Sequence, residues 1–262
     1  NAINTGSRKA ERDAQSDPTN LIRIMPAEGC AARPKNTLPA EGVFLMQTDE
    51  RAVLFTNGQA KPGFEVSVLP GDFLVAVDGG LHHLKRLGLK PDLLIGDLDS
   101  VDARDLAEII DAGIEVQRFL PAKDQTDLEL ALEYALNNSY GQIVIAYPFG
   151  DRVDHTLGNL SLLSRPDLTG KTLWLDNGQV EACLLDTSAS LTTQPGDLIS
   201  LIAWGMPVEG IITKGLQYSL NNESLVPWQT RGISNVALAH SVEIDFRSGR
   251  LLIIRTKSHS GG

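Results

Sequence analysis

The feature that most constrains the fold is a repeated change of hydrophobic periodicity between residues 51 and 165. Segments 81–87, 103–110 and 128–136 have apolar residues three and four positions apart, which is the spacing of an amphipathic helix. Strands that alternate with helices predict an α/β fold with a Rossmann-like, doubly wound, mainly parallel sheet. The strands are predicted from five short apolar segments: 53–55, 73–77, 93–95, 114–119 and 143–146.

Beyond the α/β region the helical spacing ends. Short segments of alternating polarity follow, beginning with 171–175, and Asn-Gly, Pro-Gly and Ser-Gly pairs separate them, which predicts an all-β domain, a small β-sandwich. The boundary falls in RPDLTGK, where Pro166 and Gly170 interrupt both patterns. The predicted organisation is a poorly structured extension over 1–40, an α/β domain over 41–165 and a β-sandwich over 170–257.

Composition narrows the possible partners and locations. Of 262 residues, 33 are acidic and 23 are basic, so the net charge of −10 opposes binding to nucleic acid or anionic membranes. No apolar run reaches the roughly 20 residues of a membrane span. Cys30 and Cys183 have neither disulfide-framework nor zinc-ligand spacing, which favours the reducing cytoplasm.

Polar clusters follow four strands of the predicted parallel sheet. In such sheets the carboxyl ends of the strands share one edge, where ligands bind. We therefore expect these clusters to meet on one rim. In chain order they are 78–80, 97–100, 123–127 and 150–155.

The stretch LLIGDLDSVD places several carboxylates directly after a strand. In extended backbone, Asp97 and Asp99 would project to the same side. Carboxylates about 5 Å apart repel by roughly 3 kcal/mol at an effective dielectric near 20, and a divalent cation would reverse this cost. Oxygen ligands favour Mg²⁺. The alternative is structural: Asp97 stabilises a turn, and Asp99 or Ser100 caps a helix that begins near Asp102.

The third and fourth clusters also allow two interpretations. Thr126 has capping-box spacing, but a cap does not require both Asp124 and Asp127, so at least one of these remains available as a metal ligand. Arg152 and Asp154 could form a surface ion pair at a helix start. On a shared rim, however, an arginine beside carboxylates suits a polyphosphate held with Mg²⁺.

Several common sites are not supported. The chain has no GxxxxGK[ST] motif and no GxGxxG after a strand, although Gly79 and Gly80 could let backbone N–H groups approach a phosphate. Its histidines have no serine partner of the nucleophile-elbow type. We expect His82 and His83 to be ordinary helix-surface residues.

Five motifs, in order and at compatible spacing, resemble those of thiamin pyrophosphokinases: PDLLIGDLDS, KDQTDLELAL, FGDRVDHTLGNL, GLQYSLNNESL and GISN. The resemblance covers about residues 50 to 256. It implies an α/β nucleotide-binding domain joined to a β-sandwich, in a homodimer with active sites between subunits. It also implies Mg²⁺-dependent transfer of diphosphate from ATP to the hydroxyl of thiamin, with release of AMP.

The resemblance assigns roles to matching residues. Catalytic and metal-binding roles fall on Asp97, Asp99 and Asp127, with Asp124, Arg152 and Asp154 completing the polar site. Either Asp154 or Asp124 could accept the hydroxyl proton. The ATP-binding residues are Asp78, Gly79, Gly80, Ser100, Thr126, Arg152 and His155.

For thiamin, the resemblance implies stacking on Tyr218 and contacts with Ser234 and Asn235. Structural alternatives are a strand aromatic for Tyr218 and a turn before a strand for the other two. Asp151 departs from the family pattern, which has glycine before the arginine. Its carboxylate either faces solvent or weakens anion binding.

Two other functions stay open at this point. The first is diphosphate transfer to another heterocyclic alcohol, such as a hydroxymethyl pterin, because the metal and phosphate residues do not identify the acceptor. The second is a non-catalytic thiamin- or nucleotide-binding protein. The aspartate cluster argues against the second, since a binder of neutral or cationic ligands would not need repelling carboxylates.

Overall fold

The computed structural model describes residues 21–24, 50–122 and 124–258. These residues form one eleven-stranded sheet, one four-stranded sheet and four α-helices. The strands of the N-terminal region are β1 (Leu21–Ile24), β2 (Arg51–Phe55), β3 (Phe73–Val77), β4 (Leu93–Gly96), β5 (Glu115–Phe119), β6 (Gln142–Ala146) and β7 (Thr172–Asp176). The helices are α1 (Leu81–Arg86), α2 (Ala103–Asp111), α3 (Asp127–Asn137) and α4 (Val153–Leu162).

The C-terminal region contains strands alone, apart from turns. They are β8 (Val180–Leu185), β9 (Ala189–Thr192), β10 (Leu198–Ala203), β11 (Val208–Lys214), β12 (Asn221–Leu225), β13 (Asn235–Val236), β14 (Ser241–Asp245) and β15 (Leu251–Thr256). The large sheet has the order β1-β5-β4-β3-β2-β6-β7-β8-β15-β10-β13, and the small sheet has the order β12-β11-β14-β9.

Strands β2 to β7 pair in parallel, and helices cover both faces of this part of the sheet. Along β2, Ala52 and Leu54 pack in the core beside α3, whereas Val53 and Phe55 pack in the core beside α1 and α2. Burial on both faces explains why the strands are continuously apolar. The predicted doubly wound α/β fold is confirmed.

The C-terminal region forms the predicted β-sandwich. Along β14, Val242 and Ile244 are buried while their neighbours are exposed, because one face of the strand packs against the large sheet. Ile199, Leu201 and Ile253 of the large sheet belong to the same core. In the described part of the chain, none of the helices has the length and apolar character needed to cross a bilayer.

Two parts of the sheet differ from the prediction. The segment expected to begin the β domain is β7, and it pairs in parallel with β6, so the large sheet runs without interruption from the α/β region into the sandwich. The predicted boundary shows no break because Trp174 of β7 packs against both the sandwich core and the α/β core. Within the predicted extension, β1 pairs antiparallel with β5. The other residues of 1–40 lie outside the described residues.

The strand order defines where a ligand can bind. The chain passes from β2 outward to β3, β4 and β5, and it then returns to place β6 on the other side of β2. The carboxyl ends of β2 and β6 therefore flank a topological switch point, which is the place where open α/β sheets bind ligands.

Candidate active site

A cleft of about 810 Å³ lies at this switch point, and we call it the switch-point cleft. Its lining comes from the ends of β2, β3 and β6, from Ser100 after β4, from the start of α3 and from α4. The predicted site residues that line it are Asp78, Ser100, Thr126, Asp127, Arg152, Asp154 and His155.

Three carboxylates converge beside the cleft. Asp78 follows β3, and Asp97 and Asp99 follow the adjacent strand β4; one oxygen of each lies within 4.8 Å of the others. We call these residues the carboxylate trio. Oδ1 of Asp78 is buried and has no hydrogen-bond partner among the described residues. Burial raises the pKa of Asp78, and the negative charges of Asp127 and Asp97 raise it further.

A tight turn, and not extended backbone, brings Asp97 and Asp99 together. Leu98 has a φ of 66°, in the left-handed region, so the predicted extended geometry is wrong. The N–H of Asp99 donates to Oδ1 of Asp97 (3.1 Å), and the Ser100 hydroxyl donates to Oδ1 of Asp99 (2.9 Å). The left-handed conformation costs a residue like leucine about 1–2 kcal/mol. Because Leu98 is buried, core packing can hold it there.

Helix α2 is capped by a different aspartate. Oδ1 of Asp102 accepts a hydrogen bond from the N–H of Arg104 (2.8 Å), as an N-cap residue does. The alternative that Asp99 or Ser100 caps this helix is therefore wrong. The same structural alternative also predicted that Asp97 stabilises the turn, and it does so by accepting from the N–H of Asp99.

The start of α3 contributes to the cleft in two ways. Thr126 caps the helix through its hydroxyl oxygen, which accepts from the N–H of Glu129 (3.2 Å), and it also lines the cleft. Asp127 lies close enough to influence the pKa of Asp78 but is not a member of the trio. Asp124 is exposed and belongs neither to the trio nor to the cleft lining.

At the start of α4, Arg152 donates two hydrogen bonds to Asp154, from Nη2 (2.5 Å) and Nε (3.2 Å). Arg152 thereby lowers the pKa of the Asp154 carboxyl. Both side chains are exposed, and exposed ion pairs contribute little free energy, so Arg152 can turn toward a ligand at low cost. Asp151 is also exposed and accepts from Nε2 of Gln59 (2.6 Å).

The two predicted phosphate-binding glycines lie where the turn after β3 packs against the end of β2, and only Gly80 is held against backbone. A Cβ on Gly80 would lie 1.8 Å from the carbonyl oxygen of Phe55, and a Cβ on Gly79 would lie 2.7 Å from Nδ2 of Asn57. Glycine at these positions therefore lets the turn after β3 approach the end of β2.

Two parts of the site were missed from the sequence. Thr56, Asn57 and Gly58 line the cleft at the end of β2. The sequence could have indicated them, because these polar and turn-forming residues follow strand β2 just as Asp78 follows β3. His83 is 2% exposed, so its expected place on the helix surface is wrong, whereas His82 is exposed as expected.

The predicted thiamin residues lie on the sandwich and do not line the switch-point cleft of their own chain. Asn235 is buried; its Oδ1 accepts from the N–H of Tyr218 (3.0 Å), and its Nδ2 donates to the Tyr218 carbonyl (2.7 Å). These bonds hold the backbone of Tyr218, whose side chain is 66% exposed. Ser234 is exposed with a φ of 58°.

The fold and site define a two-domain α/β enzyme with an acidic cleft at the switch point of its sheet. Residues 68–175 match the family model "Thiamin pyrophosphokinase, catalytic domain", and residues 188–251 match "Thiamin pyrophosphokinase, vitamin B1 binding domain". Together the two matches cover about two thirds of the chain. The chain belongs to the thiamin pyrophosphokinase family.

Relatives and solved structures agree with this assignment. The thiamine pyrophosphokinase of Bacillus subtilis is 29% identical over 184 residues, which are 70% of this chain and 86% of that protein. Its crystal structure has a TM-score of 0.70 and 25% identity, with 80% of this chain and 99% of that chain covered. The thiamin pyrophosphokinase of Candida albicans shares the fold at 14% identity, with a TM-score of 0.66 over 80% of this chain and 90% of that chain.

Proposed function

We propose that this protein transfers the terminal diphosphate of ATP to the hydroxyl of thiamin, which gives thiamin diphosphate and AMP. The observation that carries the proposal is the convergence of Asp97 and Asp99 with Asp78, a residue that lines the switch-point cleft, in a chain that belongs to the thiamin pyrophosphokinase family. Polyphosphate transfer depends on charge neutralisation and positioning, and this cleft concentrates the groups that serve both.

The carboxylate trio fits Mg²⁺. Its donors are all oxygens, and the buried Oδ1 of Asp78 has no partner in the described residues, which is costly unless a cation balances it. We assign Mg²⁺ to Asp97, Asp99 and Asp78, with Asp127 completing the ligand set from the start of α3. When bound, the ion would neutralise polyphosphate charge.

The residues at the start of α4 perform the remaining steps in this proposal. Arg152 leaves its exposed pair with Asp154 and offsets the charge on the transferred diphosphate. The thiamin hydroxyl attacks the β-phosphorus in line, and AMP leaves. We assign acceptance of the hydroxyl proton to Asp154 in preference to Asp124, because Asp154 lines the cleft and Asp124 does not.

The thiamin residues favour a homodimer with active sites between subunits. Tyr218, Trp228 and Leu238 are 66%, 76% and 61% exposed on the sandwich, and none lines the cleft of the same chain. A second copy could bring this surface to the cleft, so that Tyr218 stacks on thiamin and Ser234 contacts it. Asn235 would then act by holding the Tyr218 backbone.

The proposed division of labour follows the predicted domains: ATP and Mg²⁺ bind in 41–165, and thiamin binds to 170–257. We also propose a cytoplasmic location, which rests on cysteine usage. Cys183 is buried and unpaired, and burial raises the pKa of its thiol to about 12.

The acceptor can be tested by incubating the purified protein with Mg-ATP and either thiamin or a hydroxymethyl pterin. We expect AMP and thiamin diphosphate in equal amounts with thiamin, and no AMP with the pterin. AMP release with the pterin alone would replace thiamin as the acceptor. ATP binding without AMP from either acceptor would make the protein a binding protein.

A further inference from the structure

His83 is a buried histidine that contacts the loops forming the switch-point cleft but does not line the cleft itself. It lies on α1, and its Nε2 is 2.8 Å from the carbonyl oxygen of Gly58, a cleft-lining residue. Because a carbonyl oxygen can only accept, Nε2 of His83 carries the proton and donates. Nδ1 is buried without a partner among the described residues, so the Gly58 contact is the hydrogen bond that orients the ring.

The ring of His83 also packs against the second loop of the cleft. It stacks on Tyr147, the residue after β6, with a centroid distance of 4.0 Å and an interplanar angle of 21°. The Tyr147 hydroxyl donates to Glu65 (2.8 Å) and accepts from Arg86 (3.1 Å). These two bonds are made by the hydroxyl, whereas His83 contacts the ring.

The loops after β2 and β6 are tied to each other at the switch point. The Thr56 hydroxyl donates to the carbonyl of Tyr147 (2.6 Å), and the N–H of Gln59 donates to the carbonyl of Phe149 (2.7 Å). A Cβ on Gly58 would lie 2.0 Å from the Tyr147 oxygen, so the loops are in close contact. His83 contacts both loops through one side chain.

Asn57 lies between Thr56 and Gly58, which both contact the loop after β6, and it faces the cleft. It is exposed, lines the cleft and lies beside the turn that carries Asp78 and Gly79. Its amide makes no hydrogen bond within the described residues, so Nδ2 is available to a ligand. A neutral donor beside a carboxylate cluster suits a phosphate oxygen.

We propose that His83 is a positioning residue for ATP, and this role rests on the proposed function. Its hydrogen bond to Gly58 and its stacking on Tyr147 fix the loop after β2, so that the Asn57 amide meets the polyphosphate. Asn57 is then a nucleotide-binding residue at the switch point.

Two substitutions separate the hydrogen bond of His83 to Gly58 from its stacking on Tyr147. His83→Phe keeps a ring that can stack on Tyr147 but removes the donor to Gly58, whereas His83→Gln restores an N–H near the position of Nε2. We expect His83→Phe to raise the KM for ATP about tenfold, the size expected from one lost hydrogen bond. The KM for thiamin should be unchanged, and His83→Gln should recover most of the ATP affinity.

Tyr147→Phe is the matched control, because it removes the bonds to Glu65 and Arg86 while leaving the ring beneath His83. It should lower Tm without changing the KM for ATP. Asn57→Ala should raise that KM by a similar factor, and adding His83→Phe to it should have little further effect. Independent effects in the double variant would overturn the proposal, as would equal changes in both KM values.

The outcome also separates this inference from the proposed function. If the wild-type protein releases no AMP with thiamin, the proposed function fails, and calorimetric binding of a non-hydrolysable ATP analogue replaces KM as the measurement. If the wild-type protein is active and His83→Phe leaves ATP affinity unchanged, the positioning role fails alone. Should His83→Phe not fold, His83→Leu also removes the donor to Gly58, and combined with Asn57→Ala it gives the same test of coupling.

Discussion

Leu98 is the residue on which the geometry of the acidic cluster depends. Its left-handed backbone turns the chain between Asp97 and Asp99, and its buried side chain anchors that turn. The sequence predicted two neighbouring carboxylates at a strand end, but residue type does not encode a positive φ at leucine. Asp78 joins them because β3 and β4 are adjacent in the sheet. The sequence predicted a shared rim for these residues, but it assigned Asp78 to ATP and not to the metal.

Asp78→Asn should stabilise the protein and inactivate it. The pKa of Asp78 is higher in the folded protein than in the unfolded chain. Its contribution to the free energy of unfolding is therefore present at low pH and is lost as pH rises through the pKa of the folded state. At pH 7 the buried charge therefore destabilises the metal-free fold, and asparagine removes it. Urea unfolding at pH 7 should show a larger free energy of unfolding, while turnover falls about 100-fold. Lower stability with normal turnover would contradict the assignment.

His83 should make stability depend on pH. Burial lowers its pKa from 6.5 to about 4, and the positive charges of His82 and Arg86 act in the same direction. The unfolded chain therefore binds a proton at this histidine more tightly than the folded protein does. The contribution of His83 to the free energy of unfolding is complete above pH 6.5 and is lost as pH falls toward 4. From pH 7 to pH 5 the loss is about 2 kcal/mol.

Urea unfolding of wild-type protein and His83→Phe at both pH values measures this difference. The variant should lose about 2 kcal/mol less than the wild type over the interval. An identical loss in both proteins would show that other groups cause the pH dependence.

At the scale of elements, burial decides which helices the sequence could predict. Helices α1 to α3 each pack apolar residues at helical spacing against the core, and their predicted bounds agree with the structure to within one residue at each end. Helix α4 has no fully buried residue, and Val153 and Leu157 are exposed, so it lacks a clear apolar stripe. The sequence placed the β7 segment at the start of the β domain, because its residue pattern does not show that it pairs in parallel with β6.

Asp102→Ala tests the division between structural and functional aspartates at the start of α2. Loss of the N-cap hydrogen bond to Arg104 should lower the free energy of unfolding by about 1 kcal/mol. Turnover should stay close to wild type, since Asp102 does not belong to the trio or the cleft lining. Thermal unfolding and steady-state kinetics check both expectations, and a large loss of turnover with intact folding would show that this aspartate serves the reaction.

At the scale of the whole molecule, the sheet joins both functional regions but leaves them apart within one chain. The cleft lies at the carboxyl ends of the parallel strands, and the predicted thiamin residues lie on the sandwich outside that cleft. The sequence predicted both folds from periodicity, the acidic rim from the polar residues that follow the strands, and the thiamin residues from family motifs. Periodicity cannot show which surfaces meet between copies, so the proposed dimer needs its own test.

Mixing two impaired variants, assayed at a thiamin concentration too low for Tyr218→Ala to bind it, tests whether active sites lie between subunits. Asp99→Asn should inactivate the cleft, and Tyr218→Ala should weaken thiamin binding on the sandwich. If each site combines the cleft of one chain with Tyr218 of its partner, mixed dimers place both lesions in one site and leave the other intact. Random exchange should restore about a quarter of wild-type activity, because half of the dimers are mixed. Failure to recover activity after verified exchange would place each site within one chain.

The most direct test of the central claim is thiamin-dependent AMP release by Asp99→Asn, compared with wild type at equal concentrations of folded protein. Asp99 is exposed beside Asp97 and Asp78, and its replacement removes one charge without a buried packing defect. We expect turnover to fall by about two to three orders of magnitude, with an unchanged Tm. Wild-type turnover in this variant would contradict the claim that the carboxylate trio beside the switch-point cleft carries the reaction.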